Sequence, residues 1–92
     1  MRVDHLVVSE AVLEKVAVKH GVTFEEVEEV CLYTPPRDQV WRKGRGGTMR
    51  VFARTYGGRY LFVVLVETTP GVWRVVTARD MSSAERRLYE QG

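Results

Sequence analysis

The chain has 92 residues, an apolar fraction of 45% and a formal net charge of +2. This describes one small folded domain over residues 1–92, near the lower size limit for an independent core, and excludes a disordered polymer. No run approaches the ~18 apolar residues of a membrane-spanning helix, no leader-like segment opens the chain, and the lone Cys31 closes no internal disulfide, so the expected setting is cytoplasmic with no membrane contact.

In chain order, residues 3–8 form a short β-prone run expected at a sheet edge. Ser9 is placed to cap a first helix, with Glu10 in its first turn, an apolar stripe of Val12, Leu13, Val16 and Ala17, and Gly21 as its stop. Thr23 and Glu26 have capping-box spacing and open a second helix, with Phe24, Val27, Val30 and Cys31 inward and Glu25, Glu26, Glu28 and Glu29 outward. Pro35 and Pro36 end the helical region. Beyond Gln39 the apolar period changes to two. Residues 48–56 alternate and run into Gly57-Gly58, read as a two-residue hairpin turn. Residues 60–66 are almost continuously apolar, which predicts a central strand covered on both faces. Thr69-Pro-Gly71 is a second turn and residues 72–78 a further strand. Ser82 and Glu85 form another capping box, for a short last helix. The order β-α-α-β-β-β-β-α predicts an α+β fold, with helices segregated from an antiparallel sheet of four to five strands.

Charge is distributed unevenly. Residues 1–34 carry three basic residues against seven acids, whereas residues 35–92 carry eleven against five. The basic C-terminal part suits a polyanion, and it equally suits a solubilising surface of locally paired arginines. On the strand over 48–56, alternation puts Arg50, Phe52, Arg54 and Tyr56 on one face and Met49, Val51, Ala53 and Thr55 on the core side. Cations interleaved with aromatics suit RNA phosphates and base stacking. A solvated face with cation–π contacts is the plainer alternative, but Arg42, Lys43, Arg45 and Arg59 on adjoining segments favour nucleic acid. A histidine is the residue type suited to proton transfer near neutral pH, yet His20 also continues the Val12, Val16 stripe as a helix C-terminal cap, and the two roles stay open. Two histidines and one cysteine without ligand spacing predict no metal site and no cofactor.

The segment Arg74-Val-Val-Thr-Ala-Arg-Asp-Met-Ser-Ser-Ala-Glu-Arg-Arg-Leu-Tyr89 resembles the C-terminal signature of the BrnT family of bacterial ribonuclease toxins. Ala53-Arg-Thr-Tyr-Gly-Gly-Arg59 and Lys19-His-Gly-Val22 resemble two further family segments, so the likeness runs over about residues 8–89. It implies a RelE-like fold and the toxin half of a type II toxin–antitoxin pair, cleaving RNA without a metal through 2′-OH attack and inhibiting translation. It also implies a small BrnA-like antitoxin of ribbon-helix-helix type. Carried onto this chain, Arg79 would stabilise the phosphorane, where by residue type alone it would pair with Asp80, Glu85 or a helix carboxylate and fasten the last helix, and His20 would be the proton-transfer candidate. Arg50, Phe52, Arg54, Tyr56, Arg59, Arg86 and Tyr89 would hold RNA, while Glu85 would be the capping-box acid. The chain departs from the family at its N-terminal end. The usual W-D pair, lysine and asparagine fall on Val8, Ser9, Val12 and Val16. That departure raises a second reading, a nucleic-acid-binding or regulatory module that kept the scaffold without the catalytic group. An interaction protein using the acidic face of the second helix is a third.

Overall fold

The computed structural model describes residues 2–91. Its elements are β1 (His5–Val7), α1 (Glu10–His20), α2 (Phe24–Glu28) continued by a π-helical turn (Glu29–Tyr33), a 3-10 turn (Pro36–Asp38), β2 (Val40–Lys43), β3 (Thr48–Arg54), β4 (Tyr60–Thr69), β5 (Val72–Asp80) and α3 (Ser83–Gln91). Local signals in the sequence account for the helix ends. The Ser9 side chain accepts from the Val12 N–H, and Gly21 closes α1 at φ 62°, where a residue without Cβ is unstrained. The Thr23/Glu26 capping box is formed in full. At α3, Ser82 and Glu85 exchange the same pair of bonds, at 2.7 and 3.2 Å.

The five strands lie in the order β1-β5-β4-β3-β2. β4 is therefore central and β1 is an edge strand, as the apolar pattern predicts. One expectation needs correction: the sheet is mixed, because β1 pairs parallel to β5. The other strand pairs are joined by short turns, which enforce antiparallel pairing. β1 is separated from β5 by the rest of the fold, and no turn constrains its direction.

The two faces of the sheet do different things. Val51, Ala53, Leu61, Val63, Leu65, Trp73, Val75 and Ala78 form the main core with Val16, Val22, Val27, Val30 and Cys31 of the N-terminal helices. Burial pushes the Cys31 thiol up to about 12, so it stays an unreactive apolar filler. The opposite face holds a small second cluster of Phe52, Phe62 and Met81, flanked by Tyr60 and by Tyr89 of α3. No residue of α3 itself is buried, so polar contacts carry much of its attachment. Among the described residues, no helix is long and apolar enough to cross a membrane.

Candidate nucleic-acid interface

Arg79 reaches the α3 face because of a bulge. β4 residues 61–64 pair with β5 in one register, and beyond Val64 the register shifts so that Leu65 faces Val75. Val76 is the extra residue. Without it, the alternation set by the buried Trp73 and Val75 would turn Arg79 into the main core. With it, Ala78 takes the core side and Arg79 lies opposite Phe62, its Cζ 4.1 Å from that ring's centroid. The Arg79 Nη1 and Nη2 donate to the two Glu85 oxygens at 2.8 and 3.0 Å, and Nη1 also donates to the Asp80 carbonyl at 2.9 Å. Nε–H and one Nη2 proton carry no protein partner among the described residues, so the Nε–Nη2 edge remains available on a side chain 37% exposed. The hydrogen bonds from Arg79 hold the Glu85 carboxyl at about 2, assisted by the Ser82 N–H and against the opposing effect of burial. A carboxylate so stabilised is a poor base for a ribose hydroxyl, and Glu85 serves to orient the guanidinium.

Arg59, expected to hold RNA, is engaged within the protein. Its Nε and Nη2 grip Asp80 at 2.6 and 3.1 Å, its Nη1 donates to the Gly21 carbonyl at 2.8 Å and to Glu26 at 3.1 Å, and its Nη2 also donates to the His20 carbonyl. All five N–H donors are used. Arg59 ties the end of α1, the start of α2, the β3–β4 hairpin and the end of β5 together, and Asp80 is held below its usual carboxylate range chiefly by its hydrogen bonds. His20 ends α1 on the main-core side of the sheet, whereas Arg79 points to the α3 face. The His20 charge also helps to hold Asp80, the neighbour of Arg79 in the chain, below its usual range.

The remaining candidates divide in the same way. Phe52 is only 8% exposed, packed against Phe62 at a centroid distance of 5.1 Å, so it offers no free ring to a base. The α3 face is partly covered there, and Phe52 lies beneath the cover with Phe62 and Met81. Tyr56 is not on the strand face either. β3 ends at Arg54, and the turn centres on Tyr56 and Gly57, closed by Gly58 N–H to the Thr55 carbonyl with Gly58 at φ 89°. The loop is thus one residue longer than a two-residue hairpin, and it lifts Tyr56 to the tip, 72% exposed. The Tyr89 hydroxyl donates to the Asp38 carbonyl at 2.8 Å, and its ring meets Tyr60 edge-on at 6.0 Å, which anchors α3. Desolvation and the nearby Asp38 hold its hydroxyl above the usual range.

Arg54, Arg86 and Arg50 remain as available cations. Arg54 and Arg86 lie over the Tyr60 ring at 4.6 and 4.0 Å, and Arg54 makes only long bonds, 3.3 and 3.4 Å, to the Gly58 carbonyl. Arg50 stands directly across from Arg42 in the β2–β3 register, and its buried Nε has no partner among the described residues. Its Nη2 donates to the Lys43 carbonyl at 2.9 Å, and two like charges in cross-strand register repel, which an anion between them would relieve. Beside Arg54 opens a cleft of about 800 Å³ between the hairpin tip, the loop after α2 and the end of α3, lined among others by Tyr33, Arg37, Asp38, Tyr56, Tyr60 and Glu90. Sequence reasoning missed Tyr33, Tyr60 and Arg37. Tyr33 adjoins a proline pair that reads simply as a helix end, and Tyr60 sits in a run that reads as buried strand. Among the described residues no group of His, Cys, Asp and Glu is placed to hold a metal ion.

These features define a five-stranded α+β domain with helices on both faces of the sheet and an arginine–tyrosine surface around its C-terminal helix. No family model matches the chain, and no curated protein matches it. Among solved structures it is similar to the Brucella abortus ribonuclease toxin BrnT, with a TM-score of 0.69 and 14% sequence identity over 86% of this chain and 97% of that one. At that identity the likeness establishes a common fold.

Proposed function

We propose that this chain is a BrnT-like ribonuclease toxin that binds single-stranded RNA on its α3 face and cleaves it by attack of the ribose 2′-OH. The observation that carries the reading is Arg79. On a scaffold shared with a ribonuclease toxin, its guanidinium is oriented by Glu85 and keeps one two-donor edge exposed. A guanidinium held where phosphorane charge develops stabilises the transition state more than the ground state. Arg54, Arg86 and Arg50 then take flanking phosphates. The same reading includes translation inhibition, action in the cytoplasm and a ribbon-helix-helix antitoxin that covers this face.

A second reading is favoured by one observation. Among the described residues no imidazole is hydrogen-bonded to Arg79, and Glu85, at about 2, is too weak a base. A non-catalytic RNA-binding module would have this surface without a proton-transfer group. Purified protein and a short labelled RNA separate the two readings. A ribonuclease yields a 2′,3′-cyclic phosphate end, is unaffected by EDTA, and loses roughly 10²–10³-fold in rate on Arg79→Ala, the range for removing one charge-stabilising group. A parent protein that binds the RNA with salt-dependent affinity and gives no product establishes the binding module instead.

A further inference from the structure

We infer that the cleft beside Arg54 clamps one unpaired nucleobase against Tyr33 and Tyr56, with the adjoining phosphate on Arg54. This rests on the RNA-binding reading and adds a site to it. Tyr33 and Tyr56 are 59% and 72% exposed, and both line this cleft. Scattered exposed aromatics need no explanation, but two on the walls of one concave site beside an arginine form a stacking platform. They are not part of the Tyr60–Tyr89 aromatic pair that anchors α3, so packing leaves their faces unused.

The two walls are held at a fixed separation by Glu29. Its carboxylate accepts the Tyr56 backbone N–H at 2.9 Å, across the chain from the hairpin tip. Its carbonyl accepts the Thr34 hydroxyl at 2.6 Å, which fixes the end of the π-helical turn that carries Tyr33. Gln39 adds a bond to the Val30 carbonyl at 2.8 Å, bracing the same loop. The platform is therefore built before ligand arrives, which lowers the ordering cost of binding.

Charge decides what enters. A groove for phosphates alone would be lined by cations, but here Asp38 and Glu90 share the lining with Arg54 and Arg37. The carboxylates repel phosphate and accept hydrogen bonds from base N–H groups, so the base belongs near Asp38 or Glu90 and its phosphate on Arg54. About 800 Å³ is within the range of sites that enclose a small organic ligand. Bases in a duplex are stacked and paired, so the ligand is single-stranded.

The test is fluorescence anisotropy at low salt with a labelled five-nucleotide RNA and with the same sequence as a duplex. The parent should bind the single strand in preference to the duplex. Tyr33→Ala and Tyr56→Ala should each weaken single-strand binding by about five- to a hundredfold, the range for loss of one stacked base. Tyr33→Phe and Tyr56→Phe should keep the affinity, since stacking needs the ring and not the hydroxyl. Unchanged melting of all four variants will show that the fold is intact. A parent that binds RNA while both alanine variants stay within twofold of it, or that binds duplex equally well, overturns the clamp and leaves the RNA-binding reading standing. A parent that binds neither RNA overturns both.

Discussion

Replacing Arg59 by methionine should cost this domain a large share of its stability, while the same change at Arg54 should cost little. Arg59→Met keeps the aliphatic stem and removes five donors. It leaves Asp80 and Glu26 without their cation and the Gly21 and His20 carbonyls without a donor. Hydrogen bonds to charged groups are each worth roughly 1.5–3 kcal/mol when shielded. The Arg59 side chain is 25% exposed but Asp80 is 60% exposed, so water recovers part of the loss and the Asp80 pair must be discounted towards a surface salt bridge. A net cost of about 2–4 kcal/mol follows, against roughly 5–14 kcal/mol available to a chain of this size. The melting temperature should fall by roughly 10–30 °C. Urea unfolding followed by fluorescence reads this directly, because Trp73 is 2% exposed within the main core. Arg54 is exposed and makes only long bonds, so Arg54→Met should stay within about 1 kcal/mol of the parent. An Arg59→Met protein that unfolds within about 0.5 kcal/mol of the parent would refute the clasp and return Arg59 to the pool of RNA-binding cations.

Two further outcomes follow from the same geometry. Glu85 titrates at about 2 in the folded chain, below its ordinary 4.5. The unfolded state therefore binds the proton more readily, and the contribution to stability is complete above pH ~5 and is lost as the pH falls towards 2. With Arg79 37% exposed, that contribution should be about 1–2 kcal/mol. Glu85→Gln should make the loss of stability between pH 5 and 2 less steep, with Asp80 still contributing, and parallel acid profiles of parent and variant would count against it. In the central strand, Val63→Asp should unfold the domain, because Val63 is fully buried and a lone carboxylate there costs several kcal/mol. Val64, which continuous apolarity places in the same interior, is only partly buried on the α3 face and stands opposite Arg50 in the register. Val64→Asp should consequently cost less, about 1–2 kcal/mol, and equal losses from the two changes in chemical denaturation would show the faces to be misassigned.

Much of the architecture was legible in the sequence by itself, because it rests on short-range chemistry. Capping at Ser9, Thr23–Glu26 and Ser82–Glu85 involves residues within one helical turn, and the continuous apolar run over 60–66 has no place to go but the middle of a sheet. The importance of Arg79, Glu85, Arg86 and Tyr89 rested on the resemblance of that segment to the BrnT signature, because charge and spacing alone fit a locally paired surface equally well. The tertiary structure alone decided which arginines are free. Nothing local distinguishes Arg59 from Arg54, five residues apart on one hairpin. The difference is that four distant groups converge on Arg59 and none on Arg54. The side of the sheet that Arg79 occupies was also beyond a period-two reading, because the single extra residue at Val76 reverses the phase of the strand. For the same reason the parallel pairing of β1 and the cleft that gathers Tyr33, Tyr56 and Arg54 were invisible in the chain. Both depend on contacts between segments far apart in sequence, whose register is set by how the whole sheet packs.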